Sequence, residues 1–247
     1  MGVHSAPCGS CDWCRKGQDN LCETLMATKV LGTYAEFVLI PKRIADVNVF
    51  VKPEEVGFSE AALLEPLACA EQGMIELEKS GADLDRVLVI GPGAVGLMFC
   101  GLLRMIGSSV DLAGRNPERL ALAEAFGAHP ISLDQAECNY DTVIECTGSV
   151  EIWERSVDFV RRGGHVMLFG GPPSGTRASF DTNRLHYDQI TLLSPFHFGR
   201  AAVRRGAQDL PELNLSQLIT AECPLAEAEA TFHELAEGRG IKYAFTP

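Results

Sequence analysis

The chain has no long hydrophobic run and no surplus of positive charge. None of its apolar stretches approaches the roughly 20 residues that a helix needs to cross a bilayer, and residues 1–9 lack the basic start and apolar stretch of a secretion signal. Lysine and arginine number 21 against 33 acidic residues, for a net charge of -12, so most of the surface would repel a phosphate backbone. We therefore expect a cytoplasmic protein with a small-molecule substrate, and neither a membrane nor a nucleic acid as partner.

A cluster of four cysteines lies near the start of the chain. Its members are Cys8, Cys11, Cys14 and Cys22, in the spacing CxxCxxCx7C. Four thiolates joined by short loops can hold Zn²⁺ in a closed tetrahedron, with no position left for water. A disulfide pair is the alternative, but no secretion signal precedes the cluster, and a reducing compartment favours metal over disulfides. The spacing predicts a structural zinc site.

The first 52 residues look β-rich and irregular. Beyond the cysteines, alternation at Tyr34, Phe37 and Leu39 predicts a strand that ends at Pro41. A helical pattern follows, for which Ser59 is the predicted N-cap, and residues 61–77 repeat apolar side chains at helical spacing with a break at Pro66.

Strand and helix patterns alternate from about residue 87 onward. The predicted strands cover residues 87–90, 109–113, 142–148, 165–171 and 190–196, and the predicted helices lie between them. Such alternation indicates a parallel sheet, and the nearly continuous apolar strands fit a sheet covered on both faces. Residues 199–247 predict two further helices and a short final strand at 242–246.

A glycine-rich turn follows the first of these strands and opens a helix. It reads Gly91, Pro92, Gly93, Ala94, Val95, Gly96, which is the pattern GxGxxG. The first glycine permits a tight turn, the second lets the backbone approach a pyrophosphate, and the third lets the helix pack on the strand. The phosphates would lie at the helix N-terminus, where free N–H groups favour negative charge. A turn required only for packing is the alternative to this predicted dinucleotide site.

The tip of the next strand decides between NAD and NADP. An acidic residue at the tip would bind the ribose 2′-hydroxyl of NAD, which is the outcome if the strand ends at Asp111. If the strand runs two residues further, the tip is Gly114 followed by Arg115, whose guanidinium suits a 2′-phosphate. Asn116 and Pro117 look like the N-cap and first residue of the following helix. This placement favours NADP, with Gly114, Arg115 and Asn116 beside the cofactor.

Several segments together resemble the zinc-dependent medium-chain dehydrogenase/reductase family of alcohol, polyol, sugar and threonine dehydrogenases. PCGSCDWCRKGQDNLC is similar to that family's structural zinc lobe and VLVIGPGAVGLM to its coenzyme turn. IECTGS and LFGG are similar to its later cofactor loops, and GRGIKYAF to its closing segment. The resemblance extends over essentially the whole chain.

The resemblance implies an α/β protein with two parts. A partial GroES-like domain with the zinc lobe would cover residues 1–79, a Rossmann doubly wound parallel sheet residues 80–195, and residues 196–247 would return to the first domain. Thr147 and Gly148 would lie along the cofactor, Gly170 near its nicotinamide, and Lys242 close to a phosphate. A homodimer or homotetramer would form through the edge strand at residues 190–194.

Catalysis in the family uses a second zinc, which polarises the substrate oxygen. Of its usual ligands only Glu65, in LLEPLAC, has a match; Cys69 lies one helical turn away. The GHE motif and an earlier cysteine are absent. We expect none of the histidines to replace them, because none lies in a matching context: His4, His129, His165, His186, His197 and His233.

Two functional hypotheses follow from the resemblance. The first is an NAD(P)-dependent oxidoreductase that transfers a hydride between a nicotinamide and an alcohol or carbonyl, of the polyol or sugar type, with the chain as a fragment or a late-starting gene product. The second is a shortened, non-catalytic protein that binds nucleotide and zinc. In both, an incomplete barrel would expose a strand edge and apolar surface, so we expect either local disorder around residues 1–60 or association that covers them.

Overall fold

The computed structural model describes all residues from 1 to 247. They form two compact units, one made of Met1–Gln72 and Phe196–Pro247 and the other of Gly73–Pro195. The chain therefore begins and ends in the first unit. The first change of unit falls inside a long helix, α4 (Leu64–Ser80), whereas our sequence-based division is at residues 79 and 80.

The second unit contains a six-stranded sheet in which every pair of neighbours is parallel. The strands are β1 (Arg86–Ile90), β2 (Ser109–Ala113), β3 (Ala128–Ile131), β4 (Tyr140–Glu145), β5 (Val160–Leu168) and β6 (Thr191–Leu193). Their order across the sheet is β3-β2-β1-β4-β5-β6. This is the order of a doubly wound dinucleotide-binding sheet, with the change of direction between β1 and β4.

Helices connect successive strands of this sheet. They are α5 (Ala94–Met105), α6 (Pro117–Leu120), α7 (Val150–Phe159) and α8 (Thr182–Tyr187). Residues 87–89 of β1 and 97–100 of α5 have no exposed surface, and burying a large apolar side chain contributes about 1.5–3 kcal/mol. The central strand is thus covered on both faces, as its apolar sequence predicts.

The first unit is mainly helical and carries one small sheet. Its helices are α1 (Asp12–Arg15), α2 (Lys42–Asn48), α3 (Phe58–Ala61), the first half of α4, α9 (Arg200–Leu213) and α10 (Ala228–Ala236). Strands β7 (Ile219–Pro224) and β8 (Lys242–Thr246) pair in parallel. The two predicted C-terminal helices and the final strand are confirmed, while β7 and, in the second unit, β3 were missed. None of the helices in the molecule combines the length and apolar character that a membrane span requires.

The predicted strand at residues 34–39 is wrong. This segment has no regular structure, and Phe37 and Leu39 are each 89% exposed. A strand needs a partner for its backbone N–H and C=O groups, and no neighbouring strand pairs here. The ring of Tyr34 lies edge-on to the rings of Phe232 and Phe245. Apolar side chains of this segment are thus exposed, while disorder around residues 1–60 or an association that covers them stays a prediction.

The predicted start and break of the helix after residue 58 are also wrong. Gly57 is the N-cap of α3, and Ser59 lies inside its first turn. The break comes between Ala61 and Leu64, ahead of Pro66, which occupies the first turn of α4. Proline is tolerated there because the first N–H groups of a helix have no partner within it.

Candidate functional site

The four clustered cysteines lie at distances that suit one metal ion. Cys11 lies at the N-cap of α1 and Cys14 inside it, while Cys22 follows a short 3₁₀ turn. All four sulfurs lie within 4.8 Å of one another; the Cys11 and Cys14 sulfurs are 3.5 Å apart and those of Cys8 and Cys14 4.0 Å apart. Zinc–sulfur bonds of about 2.3 Å in a tetrahedron imply sulfur separations of about 3.8 Å. The donors therefore fit zinc.

The backbone around the cluster favours thiolates. The N–H groups of Ser10 and Cys11 donate to the Cys8 sulfur at 3.4 and 3.3 Å, and the Cys8 N–H donates to Cys22 at 3.2 Å. The bonds to the Cys8 sulfur, chiefly that of the Ser10 backbone, lower the pKa of Cys8 to about 5. Burial raises the pKa of Cys14 to about 12, so its thiolate needs the charge of a cation. All nine cysteines are free in this structure.

Two arginines fix the cysteine loop to helices of the same unit. Arg200, at the start of α9, donates from two nitrogens to Asp19 at 2.6 and 3.1 Å. Arg43 of α2 donates to the Pro7 carbonyl at 3.3 Å and to the Thr24 hydroxyl at 3.0 Å. The loop therefore depends on these contacts as well as on its cysteines.

The glycine turn of the second unit has the shape of a phosphate cradle. Gly91 has φ +114°, a conformation that side-chain-bearing residues rarely adopt. A Cβ on Gly96 would lie 2.0 Å from the Gly91 carbonyl oxygen, whereas a Cβ on Gly93 would meet nothing within 4 Å. Gly93 is the N-cap of α5, and Ala94 and Val95 begin that helix. The open space beside Gly93 therefore lies next to the unpaired N–H groups at the start of α5, an arrangement that fits a pyrophosphate.

Strand β2 runs through Ala113, so its tip is Gly114. A Cβ on Gly114 would lie 2.4 Å from the Pro92 ring, and an acidic side chain has no room there. Asp111 lies inside the strand, and its carboxylate accepts from the Tyr140 hydroxyl at 2.6 Å and lies 3.3 Å from Nδ1 of His129. The acidic residue that would bind the ribose of NAD is therefore absent from this tip.

The residues after Gly114 begin the next helix as predicted. Arg115 is exposed. The Asn116 side chain caps α6 by accepting from the Arg119 backbone N–H at 3.1 Å, and Pro117 occupies the first helical position. The guanidinium of Arg115 is thus free to reach a ligand at the tip of β2.

A buried carboxylate organises the loops after β4 and β5. Glu145, the last residue of β4, has no exposed surface and accepts from the N–H groups of Thr147 and Gly148 at 2.5 and 3.1 Å. Its own carbonyl accepts from the Gly170 N–H at 2.9 Å, and the Trp153 indole donates to the Gly170 carbonyl at 2.8 Å. Burial raises the pKa of Glu145, and the hydrogen bonds from the loop oppose that rise.

The cofactor-binding candidates of the second unit share one edge of its sheet. The glycine turn, Gly114, Thr147 and Gly170 all follow the carboxyl ends of parallel strands, where open α/β sheets bind their ligands. Lys242 belongs to the first unit, where it begins β8 opposite Ile219 and is half-buried. Its contact with a cofactor phosphate stays a prediction.

A third cluster, in the first unit, was missed by the sequence analysis. His4, Glu65 and His197 place one ligand atom each within 4.8 Å of the others, and Nδ1 of His4 is 3.6 Å from Oε1 of Glu65. Burial lowers the pKa of His197 to about 4 and also lowers that of His4, so both rings are neutral at pH 7. Cys69 lies beside them, with its sulfur 3.8 Å from Oε1 of Glu65. Only the doublet of Glu65 and Cys69 could be read from local spacing, because the histidines are distant in sequence.

Two family models match the chain. One, described as alcohol dehydrogenase GroES-like domain, matches residues 1–49, and the other, described as zinc-binding dehydrogenase, matches residues 94–213. Together they span more than half of the sequence and include parts of both compact units. The chain belongs to the zinc-dependent medium-chain dehydrogenase family.

Individual members of the family are similar over much of their length. D-arabitol-phosphate dehydrogenase of Enterococcus avium is 27% identical over 95% of this chain and 70% of its own. D-altritol 5-dehydrogenase of Agrobacterium fabrum is 31% identical over 78% of this chain and 59% of its own. The crystal structure of a zinc-binding dehydrogenase from Sinorhizobium meliloti 1021, bound to NADP, superposes with a TM-score of 0.88 at 26% identity, over 100% of this chain and 76% of that one.

These similarities confirm the family, the combination of Rossmann and GroES-like folds, and the class of oxidoreductase expected from the sequence. Zinc-dependent medium-chain dehydrogenases are enzymes that use zinc and a nicotinamide cofactor to act on small molecules. The chain is an enzyme of this class. The choice of NADP over NAD, the individual site residues and the oligomeric state stay predictions.

Proposed function

We propose that the chain transfers a hydride between NADP(H) and the hydroxyl-bearing carbon of a polyol or sugar alcohol. The preference for NADP is supported by the tip of β2, where Gly114 leaves no room for an acidic side chain and Arg115 is exposed. The substrate class is supported by the relatives, which include dehydrogenases of arabitol phosphate and altritol. A bound nicotinamide would supply the hydride acceptor.

Each group of candidate residues has a separate task in this proposal. The glycine turn binds the pyrophosphate with backbone N–H groups, while Arg115 pairs with the 2′-phosphate. Thr147, Gly148 and Gly170 hold the cofactor from the loops that Glu145 organises, and Lys242 meets a phosphate. The four clustered cysteines bind a structural zinc, and Glu65 is the catalytic carboxylate.

Binding measurements with both nucleotides test the cofactor assignment. Calorimetric titration of the full chain should give tighter binding of NADP than of NAD. Replacing Arg115 by alanine should weaken NADP binding by about 10- to 100-fold, because hydrogen bonds to charged groups contribute about 1.5–3 kcal/mol, and should leave NAD binding unchanged. Lys79→Ala, at the C-terminal end of α4 ahead of β1, is the matched loss of one positive charge and should change neither.

Turnover assays test the reaction class. With NADP and a panel of pentitols, hexitols and their phosphates, reduction of the nicotinamide is followed by its absorbance. Oxidation of at least one polyol supports the proposal. Nucleotide binding without turnover of any alcohol or carbonyl would instead support the non-catalytic alternative, and preference for NAD would overturn the role of Arg115.

A further inference from the structure

The cluster of His4, Glu65 and His197 has the composition of a metal centre that keeps a coordination position open. We propose that these three residues bind a second Zn²⁺ ion, separate from the one at the four cysteines. The two histidines lie outside the sequence motifs that supply metal ligands by resemblance, and only Glu65 coincides with them. The proposal concerns metal binding alone, so it stands or falls independently of polyol oxidation.

The donor set fits zinc in kind and nearly in distance. Two imidazoles and one carboxylate are common zinc ligands, with bonds of about 2.0–2.2 Å. In a tetrahedron these bonds place neighbouring donor atoms about 3.4 Å apart, and Nδ1 of His4 is 3.6 Å from Oε1 of Glu65. The widest separation among the three ligand atoms is within 4.8 Å. Side-chain rotations that move the ligand atoms by about 1 Å would bring them to the separations of a tetrahedral zinc site.

The three ligands are held by independent parts of the first unit. The His4 carbonyl accepts from the Val30 N–H at 2.8 Å, and Glu65 lies in the first turn of α4. The His197 ring packs 4.0 Å from the buried Phe198 ring, measured between centroids. The next residue, Gly199, donates its N–H to the Gln72 side chain at 2.9 Å. Positions fixed in this way need little reordering when an ion binds.

Contacts around His197 resemble the support that ligating histidines usually have. The buried Ser5 hydroxyl is 3.0 Å from Nε2 of His197. If Nε2 carries the proton and donates to Ser5, Nδ1 keeps the lone pair for a metal. The backbone of His197 is left-handed, with φ +57°, and such conformations collect at functional sites.

Solvent can reach this cluster, in contrast to a closed structural site. The His4 side chain is 25% exposed and that of Glu65 35%. Three protein ligands leave a fourth tetrahedral position for water or another small ligand. The positive charge of Lys29 acts on both imidazoles, so it opposes the cation and should weaken zinc binding here relative to the four thiolates.

Metal content is the first test. The full chain is stripped with a chelator, reloaded with zinc, freed of excess and analysed by inductively coupled plasma mass spectrometry. We expect two zinc ions per chain in the parent protein. His4→Gln, Glu65→Gln and His197→Asn should each retain one; asparagine suits the last position because it tolerates a left-handed backbone. Cys22→Ser should lose the other ion, and His186→Gln, at an exposed histidine, should retain two.

Cobalt spectra separate the two sites within the unmodified chain. Co²⁺ at the four cysteines should give intense thiolate charge-transfer bands, and a second equivalent should add only the weaker visible bands of nitrogen and oxygen ligation. The second set should vanish in His197→Asn while the first persists, which also shows that the variant is folded. A single metal equivalent in the parent chain, or a second equivalent that survives in both histidine variants, would overturn the proposal.

Discussion

At the scale of single residues, two glycines of the nucleotide site are required for opposite reasons. Gly114 is crowded, since an added Cβ would lie 2.4 Å from the Pro92 ring, whereas Gly93 faces open space. One glycine is thus needed by the folded protein itself and the other by the approach of a ligand.

Alanine at these two positions should separate stability from binding. Gly114→Ala is expected to lower the free energy of unfolding by about 1–3 kcal/mol, as overpacking does. Gly93→Ala should leave stability nearly unchanged and weaken NADP binding, because its methyl group would occupy the space that the pyrophosphate approaches. Urea unfolding and nucleotide titration of both variants check this. Equal losses of stability would contradict it.

The pH dependence of stability should reveal Glu145. Because burial raises its pKa above the ordinary value of 4.5, the folded state holds this proton more tightly than the unfolded state. Its stabilising contribution is therefore complete below pH 4.5 and is lost as the pH rises through the raised pKa. The unfolding free energy of the parent should fall relative to Glu145→Gln over that range. Glu118→Gln, at an exposed residue of α6, should show no such divergence.

At the scale of elements, the sequence predicted correctly those features whose residues lie next to one another along the chain. The strand β1 with its glycine turn and the four-cysteine loop are each contiguous in sequence. Strand β3 was missed because it is short and contains Pro130, which an edge position tolerates. The segment at residues 34–39 has a strand's alternation but no partner. His4, Glu65 and His197 meet only through the folded chain, so no spacing could indicate them.

Loss of the structural metal should act on one element only. Removing zinc, or replacing Cys22 by serine, should raise amide hydrogen exchange in residues 8–25 by orders of magnitude, because metal binding supplies most of the folding energy of small zinc loops. Exchange in β1 and β4 should not change, since the second unit has its own core. Cys138→Ser, at an exposed cysteine, should leave both regions as in the parent.

At the scale of the whole molecule, strand β6 lies at one end of the six-stranded sheet, so one of its edges has no partner strand. The family resemblance implies that two chains associate through this edge. We expect a homodimer or homotetramer by light scattering. Thr191→Arg should shift it toward monomer, because Thr191 is exposed on β6 and two like charges would face each other across a symmetric contact. Thr176→Arg, in an exposed loop, should preserve the assembly. A monomeric parent protein would contradict the prediction.

The left-handed backbone at His197 limits which residues can occupy that position at little cost. Besides glycine, the side chains that adopt φ +57° most readily are asparagine, aspartate and histidine. Their codons differ from one another by a single nucleotide. One base change could therefore exchange the imidazole for a carboxylate or an amide without changing the backbone conformation. The metal preference of the site formed by His4, Glu65 and His197 could thus change during evolution while the fold stays the same.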